Sequence, residues 1–401
     1  MKPFVDYTAD SVIFKNTHIE HLEDLLFEPN GAEVAVDILA HVGHVLSFGG
    51  ESRFLHFSVK WDGAPALVFG PDPSGAGFFV ATKAAFNKTP KLAHSHAEID
   101  ALYTEPVAGI LHTAFDRLHR LAPDTVLQGD LMFREPDVTL RFIGNELCYV
   151  FQPNALLYAI KQRSPLGERM AHAALGIAVH TRYTGAGDSL ATYRALPIGE
   201  FFSVLHQTND VLCFPTSIDQ LPVLTPQEDD DCQLALYRAT AEVQRLSPSM
   251  VTLAGIYRPL ISKFINSLIR ENRSLSSQWA EFFFDFLNNE NDRERETRKT
   301  IEGKAAVDAR YHEIFRHLFP LRQELNQWHA CHRALASAKN MLVRKLAASP
   351  TGVQTFTSEE DVLKPTAPEG FVVSLGGTVV KLVDRYEFSR INFTNNPKYR
   401  S

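Results

Sequence analysis

Cysteine is scarce: Cys148, Cys213, Cys232 and Cys331 are the only four in 401 residues, and none stands at a paired spacing. That argues against a zinc site or a disulfide framework and for reduced, buried thiols. Long hydrophobic runs are missing too. No window reaches the roughly 18 apolar residues of a membrane span, and Met1–Tyr7 has no apolar core behind a basic flank. A cytoplasmic protein without a membrane partner is therefore expected. Nor is there an excess of positive charge: 40 Lys and Arg against 47 Asp and Glu leave −7, so any surface for a polyanion must be local. Repeats and low-complexity tracts are absent. What remains is an ordinary globular composition, 45% apolar and 22% charged with 22 Gly and 22 Pro. It excludes a disordered, collagen-like or coiled-coil chain, and its length predicts two domains or one large domain carrying an insertion.

Apolar residues at helical spacing predict helices over 18–28 and 31–47, closed by Gly49 and Gly50. Strands are then predicted at Phe54–Lys60, Ala64–Phe69 and Gly77–Thr82, the last two joined by the turn-rich Pro71-Asp72-Pro73-Ser74-Gly75. A helix over Ala101–Leu121, strands at Thr125–Phe133, Thr139–Ile143 and Leu147–Phe151, and a helix near Ala155–Gln162 follow. Beyond Pro222 the pattern reads almost wholly as helix, at Thr252–Ile269, Trp279–Leu287 and Tyr311–Leu346, with Asn291–Lys299 a solvated charged stretch. Strand character returns in a closing hairpin, Phe371–Leu375 and Thr378–Val383. The fold class expected is α+β.

The most informative stretch is Ser58-Val59-Lys60-Trp61-Asp62-Gly63-Ala64-Pro65. A lysine ending an apolar strand, two residues before Asp-Gly, can sit partly buried, where its amine deprotonates more easily, as a covalent nucleophile requires. Asp62 would orient it or meet a sugar, and Gly63 would let the chain turn close to a ligand. Taken alone, Lys-x-Asp-Gly also arises by chance at strand ends. Lys381, amid Val379, Val380, Leu382 and Val383, is costly to bury without an anionic partner.

Four segments together resemble the covalent nucleotidyltransferase superfamily of ATP-dependent DNA and RNA ligases and mRNA capping enzymes. Lys60-Trp61-Asp62-Gly63 matches the first motif, Lys-x-Asp-Gly. The strand Val126-Leu127-Gln128-Gly129-Asp130-Leu131-Met132-Phe133 is similar to the third, with Asp for Glu. Glu369-Gly370-Phe371-Val372-Val373 matches the fourth, and Val379-Val380-Lys381-Leu382 the lysine-bearing fifth. The wording at Thr82-Lys83, Phe86-Asn87-Lys88, Gln128-Gly129-Asp130 and Gln152-Pro153-Asn154 also looks like divergent ligase-like proteins of large tailed phages.

The resemblance implies a ligase-type adenylation domain with antiparallel sheets and a two-step chemistry. Lys60 would attack the α-phosphate of ATP and hold AMP, Asp130 and Asp62 would contact the ribose or order the lysine, and Lys381 would neutralise the α-phosphate. Glu369, with Asp130, would bind Mg²⁺ or Mn²⁺. Gly63 and Lys83 would belong to the nucleotide site, Lys83 gripping a phosphate, and Phe151 is the candidate to stack on the base. AMP would pass to a 5′-phosphate and a 3′-hydroxyl would then attack, on RNA in preference to DNA. Arg141, His180 and Arg182 are further candidates for substrate phosphates, each as readily structural. His41/His44 and His329/Cys331/His332 have helical spacing, but no second cluster completes a metal site, so they read as surface or core histidines.

Departures qualify the match. Asp130 is one methylene shorter than the family's Glu, and Val383 stands where the fifth motif usually has a second lysine. With 20 residues after Lys381, no OB-fold domain is expected there, which favours an RNA-ligase-like enzyme. The span between Asp130 and Glu369 exceeds what strands need, so residues 226–350 are expected to be an all-helical insertion between a first part, 1–225, and a closing part, 351–401. Lys263, Arg270, Arg273 or the Arg293–Lys299 run would meet a polynucleotide, unless these are merely a solvated face. Two alternatives stay open: the same chemistry on a protein or small-molecule acceptor, and a binding protein on a decayed ligase fold.

The hairpin carries a geometric expectation. A two-residue Gly376-Gly377 turn would pair Val373 with Val380 and set Lys381 on the face opposite Glu369. An odd-length connection, pairing Phe371 with Lys381, is therefore predicted.

Overall fold

The computed structural model describes residues 19–49, 55–197, 208–218, 220–275, 278–359 and 362–388. The first part runs β1 (Glu20–His21), α1 (Gly31–Phe48), β2 (Leu55–Lys60), β3 (Ala66–Pro71), β4 (Phe78–Ala81), α2 (His96–Leu102), α3 (Val107–Leu118), β5 (Val126–Arg134), β6 (Thr139–Ile143), β7 (Glu146–Phe151), β8 (Leu157–Lys161), α4 (Pro165–Met170), β9 (Leu175–Thr184), β10 (Arg194–Pro197) and β11 (Val211–Cys213). Six helices follow: α5 (Pro226–Val243), α6 (Pro248–Ile256), α7 (Arg258–Arg270), α8 (Trp279–Glu296), α9 (Ile301–Leu318) and α10 (Arg322–Leu346). Four strands close the chain: β12 (Gln354–Glu359), β13 (Val362–Thr366), β14 (Gly370–Leu375) and β15 (Thr378–Leu382).

The strands form three largely antiparallel sheets, as an α+β chain requires. Sheet A has the order β1-β15-β14-β2, sheet B β10-β9-β5-β3-β4 with β11 also on β9, and sheet C β13-β12-β8-β7-β6. Alternation of side chains along each strand gives sheet A two unlike faces. Leu55, Val59, Phe371, Val373, Val380 and Leu382 are buried on one face, in a core continuous with Trp279, Trp328 and Leu335 of the helices. Ser58, Lys60, Val372 and Lys381 lie on the other face, along a cleft shared with sheet B.

α1 packs against α5 and α10, and α10 also touches β14 and β15. By length and composition α1 could cross a membrane, but half of it is buried inside the fold, the position of a core helix.

Several elements differ from the sequence expectations. The segment 155–162 is strand β8, not helix. Leu156, Tyr158 and Ile160 face the main core while Leu157 and Ala159 face a second cluster with Cys148, Val150 and Phe356. Burial on both faces erases the period-two signal. Residues 22–27 form a 3-10 turn in place of an α-helix. The helices expected over 101–121, 252–269 and 311–346 are each broken, next to Pro106, Pro259 and Pro320 respectively, because proline cannot donate to the preceding turn. The charged stretch 291–299 is helical through Glu296, with an i,i+4 pair from Glu294 to Arg298 at 3.1 Å and a bridge from Arg295 to Asp308 at 3.4 Å. Among the described residues between Gln162 and Pro222 there are three strands where the patterns announce none.

Candidate active site

Lys60 ends β2, and in the register of sheet A it stands opposite Gly370, while Ser58 stands opposite Val372 and Val372 opposite Lys381. The hairpin is a two-residue turn: Val373 pairs with Val380, and Gly376 and Gly377 both have positive φ, 56° and 88°, the conformation of a type I′ turn. The odd-length connection expected from the sequence is thus not formed. Glu369 escapes the consequence because it lies in a bend ahead of β14, outside the pleat, and its Oε2 accepts from Lys60 Nζ. Gly370 makes this possible, since a Cβ there would fall 2.5 Å from the Leu382 carbonyl oxygen and 2.7 Å from Val383 Cγ2.

The Lys60 amine is not eased toward deprotonation as the sequence suggests. Burial alone would lower it, but Glu369, Asp130 and Asp62 outweigh burial and hold the ammonium above the ordinary lysine value. Lys381 is shifted the other way: burial, with Lys60 and Lys83 nearby, lowers it despite Glu369. The facing wall comes from sheet B. Asp130 Oδ2 on β5 lies 3.5 Å from His180 Nε2 on β9. Burial pushes the Asp130 carboxyl up, but His180, Lys60 and Lys83 together hold it below the ordinary range. Lys83 completes the cleft, which has a volume of about 110 Å³.

Lys60, Lys83, Asp130 and Lys381 therefore meet in one cleft, and Glu369 reaches it through Lys60. Other expected residues do not. Asp62 is buried and its carboxylate is taken up by protein donors: Asn154 Nδ2 donates to its Oδ1 at 2.7 Å, and the Ala155 and Leu156 N–H groups donate to its Oδ2 at 2.9 and 3.1 Å. Its own N–H donates to the Tyr158 hydroxyl at 2.7 Å. Asp62 thus ties the strand end that carries Lys60 to the turn before β8. Gly63 does not line the cleft but packs closely behind it, where a Cβ would lie 2.7 Å from Asp130 Cβ. Phe151 is core, 2% exposed and packed on Phe133, Tyr158 and Phe214 with ring centroids 5.2–5.7 Å away. Arg141 lies on the exposed strand β6, and neither it nor Arg182 lines the cleft. His329 and His332 are core histidines, lowered by burial to about 2 and about 4.

Gln128, Thr181, Thr216 and Ile19 also line the cleft, and sequence reasoning missed them. Gln128 had a usable signal, standing two residues before Asp130 on one strand. Thr216 had none, since its segment is brought beside β2 by tertiary contacts, the Val59 N–H donating to its carbonyl at 2.7 Å, Ser58 bridging Ser217 and Trp61 Nε1 donating to the Pro215 carbonyl at 3.0 Å.

Among the described residues no group of three or more His, Cys, Asp or Glu side chains is arranged to hold a metal ion. Asp130 and Glu369 both act on Lys60, and two carboxylates suit a magnesium ion that takes its remaining ligands from water and phosphate.

Residues 16–398 match a family of unknown function, DUF6267. No curated protein and no solved structure matches the chain.

Proposed function

We propose that this chain, which belongs to the DUF6267 family over nearly its whole length, is an ATP-dependent nucleotidyltransferase of the ligase type working through lysyl-AMP on Lys60. In this reading, sheets A and B form the adenylation domain and residues 226–350 are an insertion. The observation that carries it is the convergence of Lys60, Lys83, Asp130, Glu369 and Lys381, drawn from distant segments, around one cleft. In the first step the Lys60 amine forms a bond to the α-phosphorus and the bond to pyrophosphate breaks. Glu369, already hydrogen-bonded to the ammonium, is in position to take the proton. Lys381 and Lys83 offset charge growing on the phosphate oxygens. Mg²⁺ or Mn²⁺ would be held by Asp130 and Glu369 and would supply further charge stabilisation. AMP would then pass to a polynucleotide 5′-phosphate, RNA in preference to DNA, for sealing by a 3′-hydroxyl.

A second reading, transfer to a protein or small-molecule acceptor, is favoured by one observation. The basic residues expected to meet a polynucleotide are largely matched within the helices: Lys263 and Arg293 on Glu290, Arg273 on Glu271, Arg298 on Glu294 and Arg295 on Asp308.

Incubation with Mg²⁺ and α-labelled ATP should leave acid-labile label on denatured wild type and none on Lys60→Ala. Absence of label from folded protein purified free of AMP refutes the covalent step.

A further inference from the structure

α2 and α3 pack on the face of sheet B turned away from the cleft. Ile99, Leu111 and Ala114 are buried with Leu127 and Leu131, whereas Gln128 and Asp130, alternating with the two leucines along β5, line the cleft. On their solvent side the two helices carry the same short pattern, His-x-x-x-Asp: His96 and Asp100 on α2, His112 and Asp116 on α3. Four-residue spacing puts each histidine and aspartate on one face of its helix, and each histidine reaches across to the other helix's aspartate. His96 Nε2 lies 3.0 Å from Asp116 Oδ1, and His112 Nε2 lies 2.9 Å from Asp100 Oδ1. The remaining ring nitrogens, both Nδ1, are 2.7 Å apart.

This arrangement is short of one positive charge. Three contacts run in series, Asp116 to His96, His96 to His112 and His112 to Asp100, and each needs a hydrogen between its two heavy atoms. A neutral imidazole carries one N–H, so two rings supply two hydrogens for three contacts. Placing both on Nε2, toward the carboxylates, leaves two Nδ1 lone pairs facing each other. Moving one to Nδ1 sets an Nε2 lone pair against a carboxylate instead. A cation between the Nδ1 atoms removes the conflict. The outer bonds then have the pattern of metal-binding histidines, in which the nitrogen not on the metal donates to a carboxylate.

We propose that His96 and His112 form a binding site for a divalent transition metal ion such as Zn²⁺, ligated by the two Nδ1 atoms and by water. Asp100 and Asp116 are positioning residues that hold the rings through Nε2. Imidazole nitrogens suit zinc, nickel and copper, whereas magnesium prefers oxygen, so this site is distinct in chemistry as well as in place from the cleft. Two nitrogens, each roughly 2.0–2.1 Å from one ion, stand about 3.3 Å apart at a tetrahedral angle. The rings must therefore part by about 0.6 Å from their present 2.7 Å. Their side chains are 51% and 29% exposed, which leaves room for that movement and for water to complete the shell. Such an ion joins α2 to α3 across their solvent side.

The test is calorimetric titration of the full-length chain with Zn²⁺ near neutral pH, beside His96→Asn, His112→Asn, Asp116→Asn and His94→Asn, each with wild-type helix content by circular dichroism. Wild type should take up one zinc ion per chain and melt at a higher temperature with it. His96→Asn and His112→Asn should each abolish that uptake. Asp116→Asn, which still accepts from Nε2 but lacks the charge, should weaken it about tenfold, the low end for a carboxylate behind a metal-bound histidine. His94 has its two ring nitrogens on Asp72 and Glu98, at 2.8 and 3.0 Å, so His94→Asn should bind like wild type. A readout that needs no variant is the electron paramagnetic resonance spectrum of wild type with one equivalent of Cu²⁺, which should show coupling to two imidazole nitrogens. Wild type that takes up no zinc, uptake undiminished in His96→Asn and His112→Asn, or a copper spectrum without two nitrogens overturns the proposal and leaves a shared proton as the third charge. Adenylylation of Lys60 is read separately and is expected in every one of these variants, since none of the substituted residues lines the cleft.

Discussion

Lys339→Met is expected to destabilise the protein by about 3 kcal/mol at pH 7.5, at the low end of the roughly 3–5 kcal/mol for breaking a buried ion pair. Lys339 Nζ on α10 donates to both Glu23 oxygens, at 2.7 and 2.8 Å, and the two side chains are 1% and 2% exposed. The low end applies because Arg385 still acts on Glu23 after the substitution. The pair lies beneath β1, whose His21 stands opposite Lys381, so it joins the helices to the strand edge of the cleft. Burial pushes the Glu23 carboxyl up, but Lys339, with His21, Arg385 and His332, holds it far below its ordinary value of 4.5. A depressed carboxyl contributes stability that is present above the unfolded pKa and lost as pH falls below it. In the variant, burial acts with its chief opponent gone, so Glu23 rises, and its contribution is then present at low pH and lost as pH rises. The gap between wild type and variant should therefore be widest near pH 7.5 and shrink toward pH 4.5. Urea unfolding followed by the fluorescence of the buried Trp279 and Trp328 measures it. The double variant Glu23→Gln/Lys339→Met should recover most of the loss. A gap below about 1 kcal/mol, or one constant between the two pH values, refutes the reasoning.

Lysine adenylylation should accelerate as pH rises through the alkaline range, because Lys60 is held protonated above its ordinary value and only the neutral amine attacks. Removing the carboxylate in Glu369→Gln should shift that profile to lower pH whatever it does to the maximal rate, and an unshifted profile rules out Glu369 as the group that holds the proton. Gly370→Ala should cost about 1–3 kcal/mol by overpacking, since the new Cβ would fall 2.5 Å from the Leu382 carbonyl. It should also slow adenylylation by moving Glu369, and a variant of wild-type stability and rate would show that the bend does not depend on glycine.

Local patterns in the chain determined a good deal by themselves. β2, β5, β14 and β15 could be placed because each alternates or runs apolar between turn residues, while Asp130 and Glu369 came forward beside Lys60 and Lys381 only through the resemblance of their segments to nucleotidyltransferase motifs. α1 and most of the helical stretch from Pro226 to Leu346 were legible from apolar spacing, with breaks at prolines that a propensity reading smooths over. Tertiary structure decided the rest, for reasons that lie outside any local window. β8 reads as helix until both its faces are seen to be buried. Phe151 looks like a base-stacking aromatic until Phe133, Tyr158 and Phe214 close around it. Asp62 reads as a ligand group until Asn154, Ala155 and Leu156 take up its oxygens. The protonation of Lys60 depends on Glu369, a residue 309 positions away, and the segment of Thr216 is drawn to the cleft by contacts with Ser58, Val59 and Trp61. Residue type and spacing name the groups able to do chemistry, but which of them face one another, and with what charge, depends on partners that only the folded chain brings within reach.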